Sequence, residues 1–308
     1  MNKNKVDTSC PAYDGACHGA AMDYENELRQ YRGQFTILDP VMKSAAIVIT
    51  TYNWPEALNL VLSSASIQRV MPSEIHIADD GSTGETARLI EVWNQQLPIP
   101  VSHHWQQDDG FRPNPVRNEA IANCSSDLVI TLDGDMVMHP DFVADHLEFS
   151  KPGCFIQSRR VRLSESLTAR ALRDGKFEFS ITTKGVRRRT QAIRNCMLAR
   201  LTSSVDRSFR HIRGANMSIW RKDLIAVNGL NEDFVGWGFE DHELIARLYH
   251  SGLKRIYLRQ AALAYHLEHA DNDRHRKSVN QGNFEQSNRE HLVRASNGLA
   301  ENHKIHNI

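Results

Sequence analysis

The sequence has no long apolar run. Nothing in its 308 residues approaches the roughly 18 consecutive apolar residues of a membrane span. The opening MNKNKVDTSCPAYDGACHGA also lacks the apolar segment of a secretory signal. These absences give the expectation of a cytoplasmic protein. Cysteine is scarce: Cys10, Cys17, Cys124, Cys154 and Cys196 are odd in number and scattered. With no CxxC pair and no Cys/His zinc spacing, neither a disulfide framework nor a structural zinc site is expected. Aromatic residues are 7% of the chain, no internal repeat is visible, and no glycine-rich phosphate loop follows the first strand-like run. The last absence argues against a nucleotidyltransferase.

Net charge is absent too, with 37 Lys+Arg against 37 Asp+Glu. The balance conceals an uneven distribution. Residues 159–213 hold 15 basic residues and 4 acidic ones, Arg187-Arg188-Arg189 among the former. Such a segment suits an anionic neighbour, a phosphate, an acidic lipid headgroup or a nucleic acid, with a solvated basic face as the competing reading. It lacks the interleaved aromatics of single-strand binders, and no helix-turn-helix or zinc pattern accompanies it, so nucleic acid is not expected as a partner.

What is present is ordinary globular composition, 41% hydrophobic and 24% charged, long enough for one large domain or two small ones. Residues 1–43 read as an extension with weak periodicity, and DYENELRQYRGQF within it is helix-like. From there strand and helix patterns alternate. AAIVITTY (45–52) is a buried strand, followed by a helix with Asn53 as N-cap and Pro55 in its first turn. EIHIADDGS (74–82), PVSHHWQQ (100–107) and DLVITLDGD (127–135) are further strands. Helical patterns at 84–97, 114–125 and 139–150 separate or follow them. Single helices between strands imply right-handed βαβ units and a mostly parallel sheet. Ligands gather at the carboxyl ends of such strands. There stand Thr51, Tyr52, Asp79, Asp80, Asp133 and Asp135. Residues 44–150 form one half, 151–270 a second half that opens with the basic segment, and 271–308 a polar tail with a helix over 283–295.

Asp133-Gly134-Asp135 places two carboxylates about one small residue. Such a pair suits a hard divalent cation, Mn²⁺ or Mg²⁺, or equally an Asx turn. Asp79-Asp80-Gly81-Ser82 suits contact with a base or ribose, and is also a good turn. In GWGFEDHE (236–243), Glu240 and Asp241 open a helix, where the macrodipole favours acids in any case. Gly-Trp-Gly has no such explanation; it suggests a mobile loop whose indole stacks on a sugar. His266 and His269 end the AYHLEH run, where one of them can complete a metal site.

VITTYNWPEAL, IADDGS, GFRPNPVRNEAI, DLVITLDGDMVMHPDFV, RGANMSIWRKDLIAVNGLNEDFVGWGFEDHELIARL and AYHLEH, in that order, resemble bacterial glycosyltransferases of family 2 over residues 44–270. The second half is similar to a galactosyltransferase-type segment. The resemblance implies an α/β fold of the GT-A, Rossmann-like kind: a mostly parallel sheet flanked by helices, with an acceptor-binding C-terminal subregion. It implies inverting transfer of a hexose from a nucleotide diphosphate sugar, by default a UDP-sugar, to a glycan or glycolipid. A cell-surface precursor (lipopolysaccharide, capsule or O-antigen) is the expected acceptor, with peripheral contact at the anionic inner face of the plasma membrane. Thr51, Tyr52, Asp79, Asp80, Arg117 and Asp133 then line the nucleotide-sugar. Asp133, Asp135 and His266 hold the metal, with His269 the alternative to His266. Trp237, Gly238 and Glu240 hold the acceptor, and Asp241, assisted by Glu240, is the catalytic base. Phe239 and His242 depart from the pattern of similar proteins. A catalytically silent nucleotide-sugar-binding protein on the same fold is the competing reading.

Overall fold

A computed structural model describes residues 43–270 and 276–303. Apart from Lys43, the N-terminal extension lies outside them, as do 271–275 and 304–308. The first half alternates as expected: β1 (Ala45–Thr51), α1 (Pro55–Ser66), β2 (Glu74–Asp79), α2 (Gly84–Gln96), β3 (Val101–Trp105), α3 (Pro113–Asn123) and β4 (Leu128–Asp133). Next come β5 (Met136–Met138), α4 (Phe142–Phe149), β6 (Cys154–Ser158), β7 (Arg160–Arg162) and α5 (Glu165–Asp174). A 3₁₀ turn (Arg189–Ala192) leads to α6 (Cys196–Thr202), β8 (Ser204–Asp206), β9 (Asn216–Trp220) and α7 (Arg221–Ala226). Last are α8 (Glu240–His250), β10 (Lys254–Leu258), β11 (Ala264–His266), α9 (Lys277–Arg289) and α10 (Leu299–Asn302).

Eight strands form one sheet in the order β3-β2-β1-β4-β9-β6-β10-β8. The first four are parallel. β9 runs antiparallel to both β4 and β6, so β6 again points the way β4 does. β10 is parallel to β6, and β8 closes the edge antiparallel. The carboxyl ends of β1, β2, β4, β6 and β10 therefore share one edge with the amino end of β9. The expected mostly parallel sheet flanked by helices is what forms.

β1 reads as unbroken apolar residues because both of its faces are covered. Ile47 and Ile49 pack with Leu58, Leu62 and Ile90 on one side. Ala46 and Val48 pack with Val116, Ala120, Leu244 and Leu248 on the other. The period of two thus divides one strand between two cores. A smaller sheet, β5-β11-β7, lies beyond β4 and sets His266 opposite Met136 and Arg162.

Two sequence expectations shift. Trp54, not Asn53, is the N-cap of α1. Proline disfavours helical geometry in the residue before it, so Trp54 stays outside the helix. Asn53 adopts a left-handed φ of 45°, which asparagine tolerates. Its side-chain oxygen accepts from the Thr83 amide. The C-terminal helix occupies Lys277–Arg289 rather than 283–295. Its anchors are polar: Asn280 donates to the Val235 and Gly236 carbonyls, and Ser287 to Glu243. Apolar periodicity cannot locate a helix held in this way.

Candidate active site

β4 delivers the first carboxylate. Gly134 follows Asp133, and its amide donates to the Thr50 carbonyl at 2.7 Å. A Cβ there would lie 2.8 Å from that oxygen, so only glycine lets the end of β4 close on β1. Asp133 keeps 37% of its side chain exposed. Burial of its surroundings and the neighbouring Asp135 push its pKa up to about 6, against the opposing pull of Arg117. The Arg117 Nε donates to Thr50 Oγ1 at 2.7 Å, and Nη2 lies 3.4 Å from Asp133. Arg117 also faces Asp80 and Glu240 electrostatically. One guanidinium thus serves three carboxylates.

Asp135 meets two histidines. Its Oδ2 is 3.3 Å from His266 Nε2 and 3.0 Å from His269 Nε2. Asp135 Oδ1 and His266 Nδ1 are both buried with no hydrogen-bond partner among the described residues. Orphaned polar atoms of this kind need an explanation, and a carboxylate with imidazoles is a donor set that suits a divalent cation. Burial lowers the His266 pKa to about 4, leaving a neutral ring. The Asp135 hydrogen bond raises His269 to about 9. Two other His/Cys/carboxylate groups lack this character. Glu74 accepts from the Ser125 and Ser126 amides, and Asp145 from Arg194 and the Ala262 amide. Their oxygens are already used.

At the end of β2, Asp80 accepts from the Arg112 amide and from Gln106. Burial raises its pKa to about 6. A hollow of about 470 Å³ lined by Gln106, Gln107, Asp108, Asp109 and Arg112 adjoins it. Tyr52 is half exposed and donates to Asp108. Thr51 and Asp79 lie deeper. Asp79 is fully buried, its two oxygens engaged by the Ser82 amide and by His103. Asp79 makes the turn of DDGS, and Asp80 is buried behind the hollow, bonded to Gln106 and Arg112 of its lining.

On the opposite side, Asp241 Oδ2 accepts from the Gly214 amide at 2.7 Å. Glu240 accepts from the Gly238 amide. Burial and the adjacent Asp241 push Glu240 up to about 7. Phe239, at a left-handed φ of 68°, caps α8. Gly236 and Gly238 also have positive φ, which is why the tryptophan is bracketed by glycines. The loop is held at several points rather than left loose. Gly236 donates to the Phe111 carbonyl, and Arg276 and Asn280 donate to Val235. Trp237 has the Lys277 ammonium 6.0 Å from its ring centre.

Asp133 feels both Asp135 and Asp241, so the two ends of the site are in electrostatic reach of each other. The structure also adds residues that sequence reasoning left in the basic segment or passed over. Arg160 senses Asp135, Asp133 and Arg213. β7 carries it there beside β11. Its only sequence signal was one arginine among fifteen. Gly214 stood in RGAN without a stated role; a Cβ there would come within 2.1 Å of Asp241. Arg187, Arg188 and Arg189 are exposed.

The glycosyl transferase family 2 model matches residues 46–204, and the model described as the N-terminal domain of galactosyltransferase matches 195–270. The chain is 27% identical over 266 residues to a chondroitin synthase of Escherichia coli, covering 79% of this chain and 37% of that protein. It is 27% identical to a hyaluronan synthase of Pasteurella multocida, over 72% of this chain and 24% of that one. It is 28% identical to a validoxylamine A glucosyltransferase of Streptomyces hygroscopicus, over 70% and 50%. It therefore spans half or less of the length of these relatives. The crystal structure of S. aureus TarS 1-349 in complex with UDP superposes with a TM-score of 0.56 at 15% identity, over 84% of this chain and 68% of that one. With the family 2 model covering more than half of the residues and the fold shared, the chain belongs to glycosyl transferase family 2.

Proposed function

We propose that this chain transfers a hexose from a nucleotide diphosphate sugar to a glycan, with inversion at the anomeric carbon. The observation that carries the reading is the convergence of Asp133, Asp135, Asp241, Arg117 and Arg160 on one sheet edge. The UDP-bound neighbour favours a UDP-sugar as donor. The polysaccharide synthases among the relatives favour a cell-surface polymer or its precursor as acceptor.

Asp135 and His266, with Asp133 beside them, would hold the divalent cation. When bound, it supplies Lewis acidity to the diphosphate leaving group. Arg117 and Arg160 offset the negative charge that develops there. Asp80 and Tyr52 border the nucleotide. Asp241 takes the proton of the acceptor hydroxyl as that oxygen bonds to the anomeric carbon. The carbon–oxygen bond to the diphosphate breaks on the opposite face. A positioned base of this kind contributes about 10²–10⁴-fold. The Gly214 amide fixes the Asp241 carboxylate, and Glu240 and Trp237 hold the acceptor sugar.

The test is a donor screen. Purified protein is incubated with a panel of nucleotide diphosphate sugars plus a mixed glycan acceptor, in Mn²⁺, Mg²⁺ or EDTA, and released nucleoside diphosphate is recorded. Metal-dependent release with one donor, abolished in Asp135→Ala, is expected. Nucleotide binding with no turnover for any donor would favour a silent binding protein instead.

A further inference from the structure

The basic segment does not behave uniformly. Arg162 and Arg187 share Glu268, Arg194 pairs with Asp141 and Asp145, and Arg200 pairs with Glu148. Arg159 from this segment and Arg259 from beyond it share a different neighbour. Among the described residues neither has a carboxylate within ion-pair distance. Both stand against Tyr257, with guanidinium carbons 5.3 and 5.5 Å from its ring centre. The Arg159 Nε donates to the Tyr257 hydroxyl at 3.1 Å. The Arg259 Nε is buried with no hydrogen-bond partner. A third guanidinium on the same ring, that of Arg255, shows the contrast. It is 5.2 Å away and consumed by Asp206, Gln157 and the Arg210 carbonyl.

Their position is set by topology. Arg159 follows the last residue of β6, and Arg259 follows the last residue of β10. These strands are parallel neighbours whose carboxyl ends lie on the same sheet edge as Asp133. The segment preceding β9 connects the two places. Gly214 holds Asp241, and three residues earlier the His211 ring lies nearly parallel to Tyr257, at 17° and 6.2 Å. Three residues of chain reach at most about 11 Å. The arginine pair therefore lies within the span of a short oligosaccharide from the proposed base.

We propose that Arg159 and Arg259 form a subsite for an anionic group of the acceptor, a uronate carboxylate or a phosphate, carried beyond the sugar that receives the transferred hexose. The assignment rests on the transferase reading above. Two unneutralised guanidiniums against one ring repel each other, and an oxyanion between them removes that repulsion. Guanidinium forks suit carboxylate and phosphate oxygens through paired N–H donors. The exposed His211 ring beside Tyr257 adds a flat surface for the linking sugar.

The test holds the full-length protein at saturating UDP and Mn²⁺, so that the donor site is filled, and titrates acceptor probes by calorimetry. One pair of probes is a tetrasaccharide with glucuronate at its reducing end, away from the receiving sugar, and its methyl ester. The other is maltotetraose with and without a 6-phosphate on its reducing-end sugar. In the wild type, the charged member of one pair binds about 10-fold or more tightly than its neutral partner, and that pair names the anion. In Arg159→Gln/Arg259→Gln the preference falls below about 2-fold, whereas the Lys/Lys variant, with the charge but without the fork, keeps part of it. Arg159→Gln alone, at a partly exposed position, loses roughly half of the preference on a logarithmic scale. It serves if the double variant does not fold. Equal affinity for both members of both pairs in the wild type overturns the proposal. So does a preference unchanged in the glutamine variants. UDP binding is read first in the same cell; its absence overturns the transferase reading and this subsite together, whereas UDP binding without charge preference overturns the subsite alone.

Discussion

The Gly214 amide and the Asp241 carboxylate meet at 2.7 Å, and the missing side chain of Gly214 is what lets them do so. Any Cβ at 214 would occupy the space of the Asp241 oxygens. Gly214→Ala must therefore displace the proposed base. A misplacement near 1 Å can cost about 100-fold in rate. The expected outcome is a loss of that order in hexose transfer with UDP affinity preserved. Transfer kinetics and UDP calorimetry check it; equal loss of both would point to general disruption of the fold.

His266 and His269 are not equivalent partners of Asp135. Burial lowers the His266 pKa to about 4 and leaves it a nitrogen with no partner among the described residues, whereas the Asp135 hydrogen bond raises His269 to about 9. A cation ligand needs the unprotonated ring. His266→Ala is expected to weaken Mn²⁺ binding by about 10-fold or more, and His269→Ala by clearly less. Metal titration in the absence of donor separates them. The reverse ranking would move the ligand to His269.

Arg247 and Glu243 form a fully buried ion pair within α8, and Arg247 also donates to the Val227 and Gly229 carbonyls. This ties the helix that carries Glu240 and Asp241 to the turn after α7. Removing one partner of such a pair strands the other charge and costs about 3–5 kcal/mol. Arg247→Ala should lower stability by that amount in urea titration. A loss under about 1 kcal/mol would mean that solvent reaches Glu243.

His146 is fully buried between Ser218 and Asn216, and burial lowers its pKa to about 4. The unfolded ring takes up a proton near pH 6.5, and the folded ring does so only near 4. Between these values the unfolded state binds more protons, so stability is full above pH 6.5 and is lost as pH falls towards 4. The window corresponds to at most ~3 kcal/mol. Melting temperature against pH should show this slope, and His146→Gln should flatten it. An unchanged slope would assign acid sensitivity to other groups.

Arg187, Arg188 and Arg189 project from the surface in an unbroken run. If they contact an anionic lipid surface, replacing all three with serine should release the protein from phosphatidylglycerol vesicles in a sedimentation assay. Each basic residue near such a surface contributes on the order of 1 kcal/mol, so the effect should be large. Unchanged sedimentation would assign these arginines to solvent.

Much of this site was legible because its residues sit in local motifs. Asp133 ends a strand readable from its apolar run, with Asp135 in the turn just after it, and Glu240 and Asp241 begin a helix readable from its period. What sequence could not supply was lateral placement. β9 and β6 extend the large sheet from distant parts of the chain, and β7 joins β11 in the small one; only these pairings reveal that Gly214 meets Asp241 and that Arg160 comes within electrostatic reach of Asp135. Asn53 and α9 were misplaced because their partners, Thr83 and Val235, are remote in sequence. The Gly-Trp-Gly loop read as loose for the same reason. Glycine signals freedom locally, and the bonds from Phe111, Arg276 and Asn280 that remove it come from elsewhere.

The reversed strand β9 has a consequence for how the protein can be divided. It is laddered to β4 on one side and to β6 on the other. A cut near residue 150 would leave Leu128–Leu132 as an unpaired, apolar sheet edge, the kind that recruits strands from other molecules. The β1–β4 part is thus not a transplantable module. Chimaeras that exchange donor preference between relatives should carry β9 with β1–β4, or exchange loops at the sheet edge and leave the ladder whole.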